Sequence, residues 1–163
     1  MNVTVDLQIA DPGLSVPSPA RISSWVEAAV ADSIESCEIC VRIVGQREGR
    51  RLNERFRGRS TATNVLAFAA DLPAGPDLPM MGDLVICRPV VEREAAEQGK
   101  MVEAHWAHMV VHGTLHLLGY DHGTEQEAER MEAREVQILA ALGYPDPYQE
   151  LDREGPSAPS AVV

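Results

Sequence analysis

His105-Trp-Ala-His108-Met-Val-Val-His112-Gly-Thr-Leu-His116-Leu-Leu-Gly119-Tyr-Asp-His122 holds all five histidines of a 163-residue chain. The apolar run that carries them predicts a helix from about Val102 to Leu118, ended at Gly119. Residues four apart on a helix share a face, with β-carbons ~5–6 Å apart, so His112 and His116 can aim two imidazoles at one centre. A third histidine on the same rod would lie too far along the axis. Gly119 lets the chain reverse after the helix, and His122, six residues past His116, can then close the site. Catalytic zinc typically has three protein ligands, with imidazole nitrogens at ~2.0–2.1 Å, and keeps its fourth position open. The predicted centre is therefore one zinc per chain on His112, His116 and His122.

Working outward, Val3, Val5, Leu7 and Ile9 alternate with polar residues as a first strand, and Ile39, Val41 and Ile43 as a second. Between them Ser18 caps a helix with Pro19 at its first position and Ile22, Trp25, Val26, Ala29 and Val30 on one face. Gln46 to Arg57 reads as a helix with Leu52 and Phe56 inward, stopped by Gly58. Asn64–Phe68 and Asp83–Cys87 supply two more strands around a proline-rich loop, Asp71 to Pro79. Pro89 opens a helix to about Gln98. The last helix starts at Thr124 with Glu127 at the capping-box spacing and turns Met131, Ile138, Leu139 and Leu142 inward before Gly143. The expectation is one α+β domain over residues 1–148, with a central sheet of about four strands flanked by helices, and a frayed tail over 149–163.

Composition bounds the function. The chain is 45% hydrophobic and 24% charged, as one globular domain requires. No apolar run approaches the ~18 residues of a membrane helix, and the polar start lacks a signal peptide's basic region. Three cysteines without such a signal point to reduced thiols and a cytoplasmic location. Cys37 and Cys40 fall on opposite faces of a strand and read as core. Net charge is −11, which opposes nucleic acid at long range if spread evenly. Arg42, Arg47, Arg50, Arg51, Arg55, Arg57 and Arg59, against Glu48 and Glu54, instead leave one stretch at +5, so a local anion site is expected beside the histidines.

The histidine and glycine spacing matches the extended zinc-peptidase motif, H-E-x-x-H-x-x-G-x-x-H. Gly113 stands where that motif places its catalytic glutamate, which argues against a peptidase. Asp121 is the nearest acid, either as a base or, preferentially, as the group holding an imidazole by its other nitrogen. His105 and His108 read as ordinary core or surface residues. Arg57, just before Gly58, is the candidate for pairing bidentately with a phosphate, and a metal that lowers the pKa of water plus one arginine suffices for phosphodiester cleavage.

The chain resembles the bacterial YbeY endoribonucleases, or rRNA maturation factors, across about residues 50 to 148. The likeness rests on Leu52-Asn53 through Arg57-Gly58, Thr63-Asn-Val-Leu66, Met81-Gly-Asp-Leu84, Glu94-Ala-Ala-Glu-Gln98, the histidine stretch and Leu142-Gly-Tyr-Pro-Asp-Pro-Tyr148. Arg59-Ser60 and Ala62 depart from the family's usual Lys-Asp pair with a following proline. The resemblance implies a single α/β-type domain and metal-dependent cleavage of single-stranded RNA, with zinc on His112, His116 and His122 and a functional arginine at Arg57. It implies roles in 16S rRNA 3′-end maturation and ribosome quality control, with the small ribosomal subunit and its assembly factors as partners and neither DNA nor membrane. A zinc-containing assembly factor that binds without cutting is the alternative.

Overall fold

A computed structural model describes residues 2–70 and 80–149. The expected loop over 71–79 and the tail beyond Gln149 lie outside the described residues. The order is β1 (Asn2–Ile9), α1 (Pro19–Val30), β2 (Ser36–Val44), α2 (Gln46–Arg57), β3 (Val65–Ala69), β4 (Met80–Cys87), α3 (Arg88–Gln98), α4 (Val102–Leu117) and α5 (Glu125–Leu142). These match the expected elements, except that β4 begins at Met80, three residues earlier than the Asp83 expected from sequence. Local chemistry accounts for their ends. Ser18 accepts from the Arg21 backbone amide at the start of α1, Thr124 and Glu127 form the reciprocal capping box of α5, and Gly58 ends α2 at φ 71°.

The strands form one mixed sheet in the order β1-β2-β4-β3, with β1 and β4 parallel to β2 and β3 antiparallel to β4. Its two faces differ, and the strand sequences show why. Ile39, Val41, Ile43, Leu84 and Ile86 point into the main core with α1, α4 and α5 residues, including Ile22, Trp25, Trp106, Val110, Leu115 and Leu139. Each such side chain contributes about 1.5–3 kcal/mol through burial. On the reverse face Val44, Leu66, Val85 and Cys87 pack with Leu52 of α2 in a smaller cluster. Helix α2 thus covers β4, β3 and the end of β2 at Val44. Strand β4, covered on both sides, reads Leu-Val-Ile-Cys without interruption, whereas β1 and most of β2 alternate, their second face being uncovered among the described residues.

Two expectations fail on this reverse face. Phe56 was expected inward, but it is 55% exposed; the face of α2 turned to the sheet is Gly49, Leu52 and Asn53, and beyond them Phe56 reaches the rim, where its ring meets Phe68 edge-on at 5.0 Å. Cys37 is buried as expected, but Cys40 is only half-buried, because its side of β2 carries no helix. Register places Cys40 between Asp6 and Asp83. Burial first, then the two carboxylates, push its thiol up to about 11 against the opposing Arg42.

Helix α4 is buried on nearly every side and packs closely on the sheet at Gly113. A Cβ there would sit 2.7 Å from Leu84 Cδ2 and 3.2 Å from Val65 Cγ2. The position that carries the glutamate of zinc peptidases thus packs against apolar side chains of the sheet, where a carboxylate would be buried without a partner.

Two outcomes follow from this packing. Gly113→Glu should lower stability by several kcal/mol, since it buries an unpaired carboxylate in a close-packed contact, and should create no peptidase activity; an unchanged melting temperature would refute the packing argument. Alkylation of Cys40 at pH 8 should run roughly tenfold slower than for an unshifted thiol, because the thiolate fraction falls tenfold per pKa unit and the more basic thiolate regains only part of that in nucleophilicity. Asp83→Asn removes a negative neighbour, lowers that pKa and should speed the reaction; ordinary reactivity in the unsubstituted protein would contradict it.

Candidate metal centre

Helix α4 presents His105, His108, His112 and His116 at spacings of three and four, along the side that meets α3 and α5 rather than the sheet. Its end is set by Gly119 at φ 104°, whose amide donates to the His116 carbonyl at 3.0 Å, while the Tyr120 amide donates to the Leu115 carbonyl at 3.0 Å. Only glycine takes this φ without strain, and it turns the chain so that His122 comes back beside the helix. Ring centroids lie 4.8 Å apart for His112 and His116, 5.0 Å for His116 and His122, and 5.8 Å for His112 and His122. One nitrogen from each of the three falls within 4.8 Å of the others, close enough for a common metal ion. The structure therefore brings together the three histidines predicted from spacing.

Burial grades across the group. His112 and His116 are half-buried and His122 is exposed, so the centre opens to solvent on the His122 side. Burial first, then the neighbouring His112 and His122, hold His116 below the usual histidine range, which keeps it neutral and able to donate a lone pair. Three imidazole donors suit a transition-metal ion such as zinc, copper, iron or nickel rather than calcium or magnesium.

Asp121 does not hold an imidazole. Its Oδ1 accepts the His122 backbone amide at 2.8 Å and stands 3.8 Å from His122 Nδ1, beyond a hydrogen bond. The short Asp-His step spends the carboxylate on the turn. The carboxylate that meets a candidate ligand comes instead from α5: Glu135 Oε2 accepts from His112 Nδ1 at 2.5 Å, and Glu135 is fully buried. Its Oε1 accepts from His108 Nε2 at 2.9 Å and from the Tyr148 hydroxyl. Burial alone would raise the Glu135 carboxyl, but the bonds from His108 and His112 outweigh it and bring it down to about 2. Burial lowers His108, despite the Glu135 bond. The sequence signal for Glu135 was present but unread: an acid on the buried stripe of α5, four residues after Met131 and three before Ile138.

His105 has a similar but separate arrangement. It is buried and donates through Nε2 to Glu94 at 2.9 Å; Glu94 in turn accepts from Asn64 at 3.1 Å, which ties α4 to α3 and to the residue before β3. His105 takes the expected core role, and His108 is drawn into the Glu135 group.

Arg57 is exposed on the last turn of α2, next to the Gly58 cap. Arg47, Arg50, Arg51, Arg55, Arg57 and Arg59 are all exposed and make no ion pair among the described residues, whereas Arg42 pairs with Glu48 at 2.7 Å. Helices α2 and α4 lie on opposite faces of the sheet. Outer strand β3 separates them, with Val65 and Ala67 facing the main core and Leu66 and Phe68 facing the α2 side.

Comparison with known proteins gives a consistent result. The family model described as Endoribonuclease YbeY matches residues 15–143. Proteins named Endoribonuclease YbeY are similar at 54% identity from Stutzerimonas stutzeri, over 91% of this chain and 92% of the relative, and at 56% from Pseudomonas savastanoi pv. phaseolicola, over 90% and 88%. A third, from Nitrosococcus oceani, is 50% identical over 93% of this chain and all of its own length. The solution structure of TM1509 from Thermotoga maritima, 24% identical, aligns with a TM-score of 0.57 over 90% of this chain and 99% of its own, a likeness of fold. With the family model matched over most of the chain and relatives above half identity along nearly their whole length, this chain belongs to the YbeY family.

Proposed function

We propose that this protein is a zinc-dependent endoribonuclease specific for single-stranded RNA, acting in 16S rRNA 3′-end maturation and ribosome quality control. The reading assigns the activity to residues 1–148, in the cytoplasm, with the small ribosomal subunit and its assembly factors as partners. The observation that carries it is the open group of three histidines at the end of α4, in a chain whose relatives are named endoribonucleases. His112, His116 and His122 would hold the zinc, which would supply a water of lowered pKa, toward ~7, for attack at neutral pH.

The chain's own residues do the rest. His116 stays neutral through burial, and His122 leaves one side of the centre open to substrate. The arginines of α2 attract the RNA backbone locally on an acidic protein, so binding weakens as salt rises. RNA that touches both α2 and the histidines passes around the outer edge of β3, a path that suits a flexible single strand better than a stiff duplex. The Arg57 guanidinium, planar and always charged, grips a phosphate of the strand through two parallel N–H donors and so holds the RNA as it passes around β3 to the histidines.

Zinc-loaded protein should cleave labelled single-stranded RNA, spare a duplex of the same sequence and stop on chelation. Binding without any cleavage would instead indicate an assembly factor. Elemental analysis should find about one zinc per chain, mostly lost in His116→Ala and kept in His105→Ala; stoichiometric zinc in His116→Ala would overturn the ligand assignment. Arg57→Ala should melt as the unsubstituted protein does and retain zinc, yet cleave ~10²–10³ more slowly, by analogy with the loss of one charge-stabilising donor. Arg57→Lys separates charge from geometry: a large loss implicates the two-pronged donor. Full-rate cleavage by Arg57→Ala would make Arg57 a surface residue only.

A further inference from the structure

Glu135 has the features of a group retained for orientation. A carboxylate stripped of water costs several kcal/mol, and apolar residues of similar volume in its place are often neutral or stabilising. Glu135 is nevertheless fully buried on α5, between His108, His112 and Tyr148. An ionised carboxylate only accepts hydrogen bonds, so every partner must donate. His112 therefore carries its proton on Nδ1, bonded to Oε2 at 2.5 Å, and its Nε2 is left bare. His108 carries its proton on Nε2, and its Nδ1 is buried with no partner among the described residues. The two histidines are thus held in opposite tautomers by one group. His112 keeps a lone pair for the centre shared with His116 and His122, while the bare nitrogen of His108 meets no partner.

We propose that Glu135 is a positioning residue that locks His112 in the Nδ1-protonated tautomer and in one ring orientation, with His108 and Tyr148 holding the carboxylate in place. The role rests on the reading of His112, His116 and His122 as metal ligands, and it falls to Glu135 rather than to Asp121. The lock ties the centre to Tyr148, 26 residues beyond His122 in the chain, because the Tyr148 hydroxyl closes on the same carboxylate oxygen as His108. The competing reading is a second metal ion on His108, His112 and Glu135, whose candidate donor atoms also lie within 4.8 Å of one another. The hydrogen bonds that already join these three groups favour the positioning role.

The test combines ring-nitrogen NMR of the metal-free chain with zinc affinity measured against a chromophoric chelator. In the unsubstituted protein His112 should show the Nδ1-protonated signature and His108 the Nε2-protonated one. Glu135→Gln should give a mixed or altered His112 tautomer and a ~10–100-fold weaker affinity, the range usual for losing such an outer partner. Asp121→Asn should leave both unchanged. Tyr148→Phe removes only a hydroxyl from a side chain that is 44% exposed and should fold normally, with a smaller fall in affinity; it decides the matter if Glu135→Gln does not fold. An Nε2-protonated His112 in the unsubstituted protein, or unchanged affinity in Glu135→Gln and Tyr148→Phe, would overturn the proposal. Two zinc ions per chain, one lost in Glu135→Gln, would make Glu135 a ligand and overturn it as well. Correct tautomers in a protein that binds no zinc would refute the metal centre and leave the lock standing.

Discussion

The contact of α4 with the sheet at Gly113 constrains the rest of the molecule. A Cβ there would press on a Leu84 methyl at 2.7 Å and on Val65 at 3.2 Å, so glycine lets the helix pack close against the sheet side chains. Packed interiors do not deform continuously, and an axis held this closely fixes the rotation of the helix as well as its height. That rotation turns the histidine side toward α3 and α5. Trp106, Val110 and Leu115 fill the main core, and the buried carboxylates Glu94 and Glu135 meet His105, His108 and His112.

The same constraint separates this centre from the peptidases whose spacing it shares. Two histidines four apart, a glycine and a returning histidine make a geometric device for three converging imidazoles, indifferent to what reaction follows. The reaction depends on what else reaches the metal. In this chain the residue after the first histidine faces Leu84 and Val65, and the exposed cations lie across the sheet on α2. The site therefore has an open solvent side at His122 and no acid on the helix next to His112.

Charge is distributed to the same end. At −11 the chain should repel polyanions, yet its unpaired arginines are concentrated in one helix and the loop after it. The polar half of the sheet, with Asp6, Cys40 and Asp83 in register, is acidic and carries no helix among the described residues. Over a Debye length of about 8–10 Å, a local group of arginines outweighs acids elsewhere on the molecule. A polyanion is steered toward α2 and kept off the open part of the sheet.

Much of this was legible without coordinates. Periodicity located the strands and helices, because a side chain's face follows from its position in the repeat; Ser18, Gly58, Gly119 and Thr124 marked ends, because caps and turns depend on a residue's own chemistry. The spacing of His112, His116 and His122 sufficed for their convergence, since helix geometry and one glycine turn place all three. Tertiary structure alone decided what required two distant segments to meet. Asp121 was the natural partner for an imidazole by proximity in sequence, but its carboxylate is taken by the turn, and Glu135, 23 residues after His112, reaches the ring from another helix. Phe56 had the spacing of a core residue, but its helix covers only half a sheet and the core ends one turn earlier. Hydrophobic pattern records which face of an element is buried; it does not record how far the neighbouring element extends, and that is set only when the elements pack.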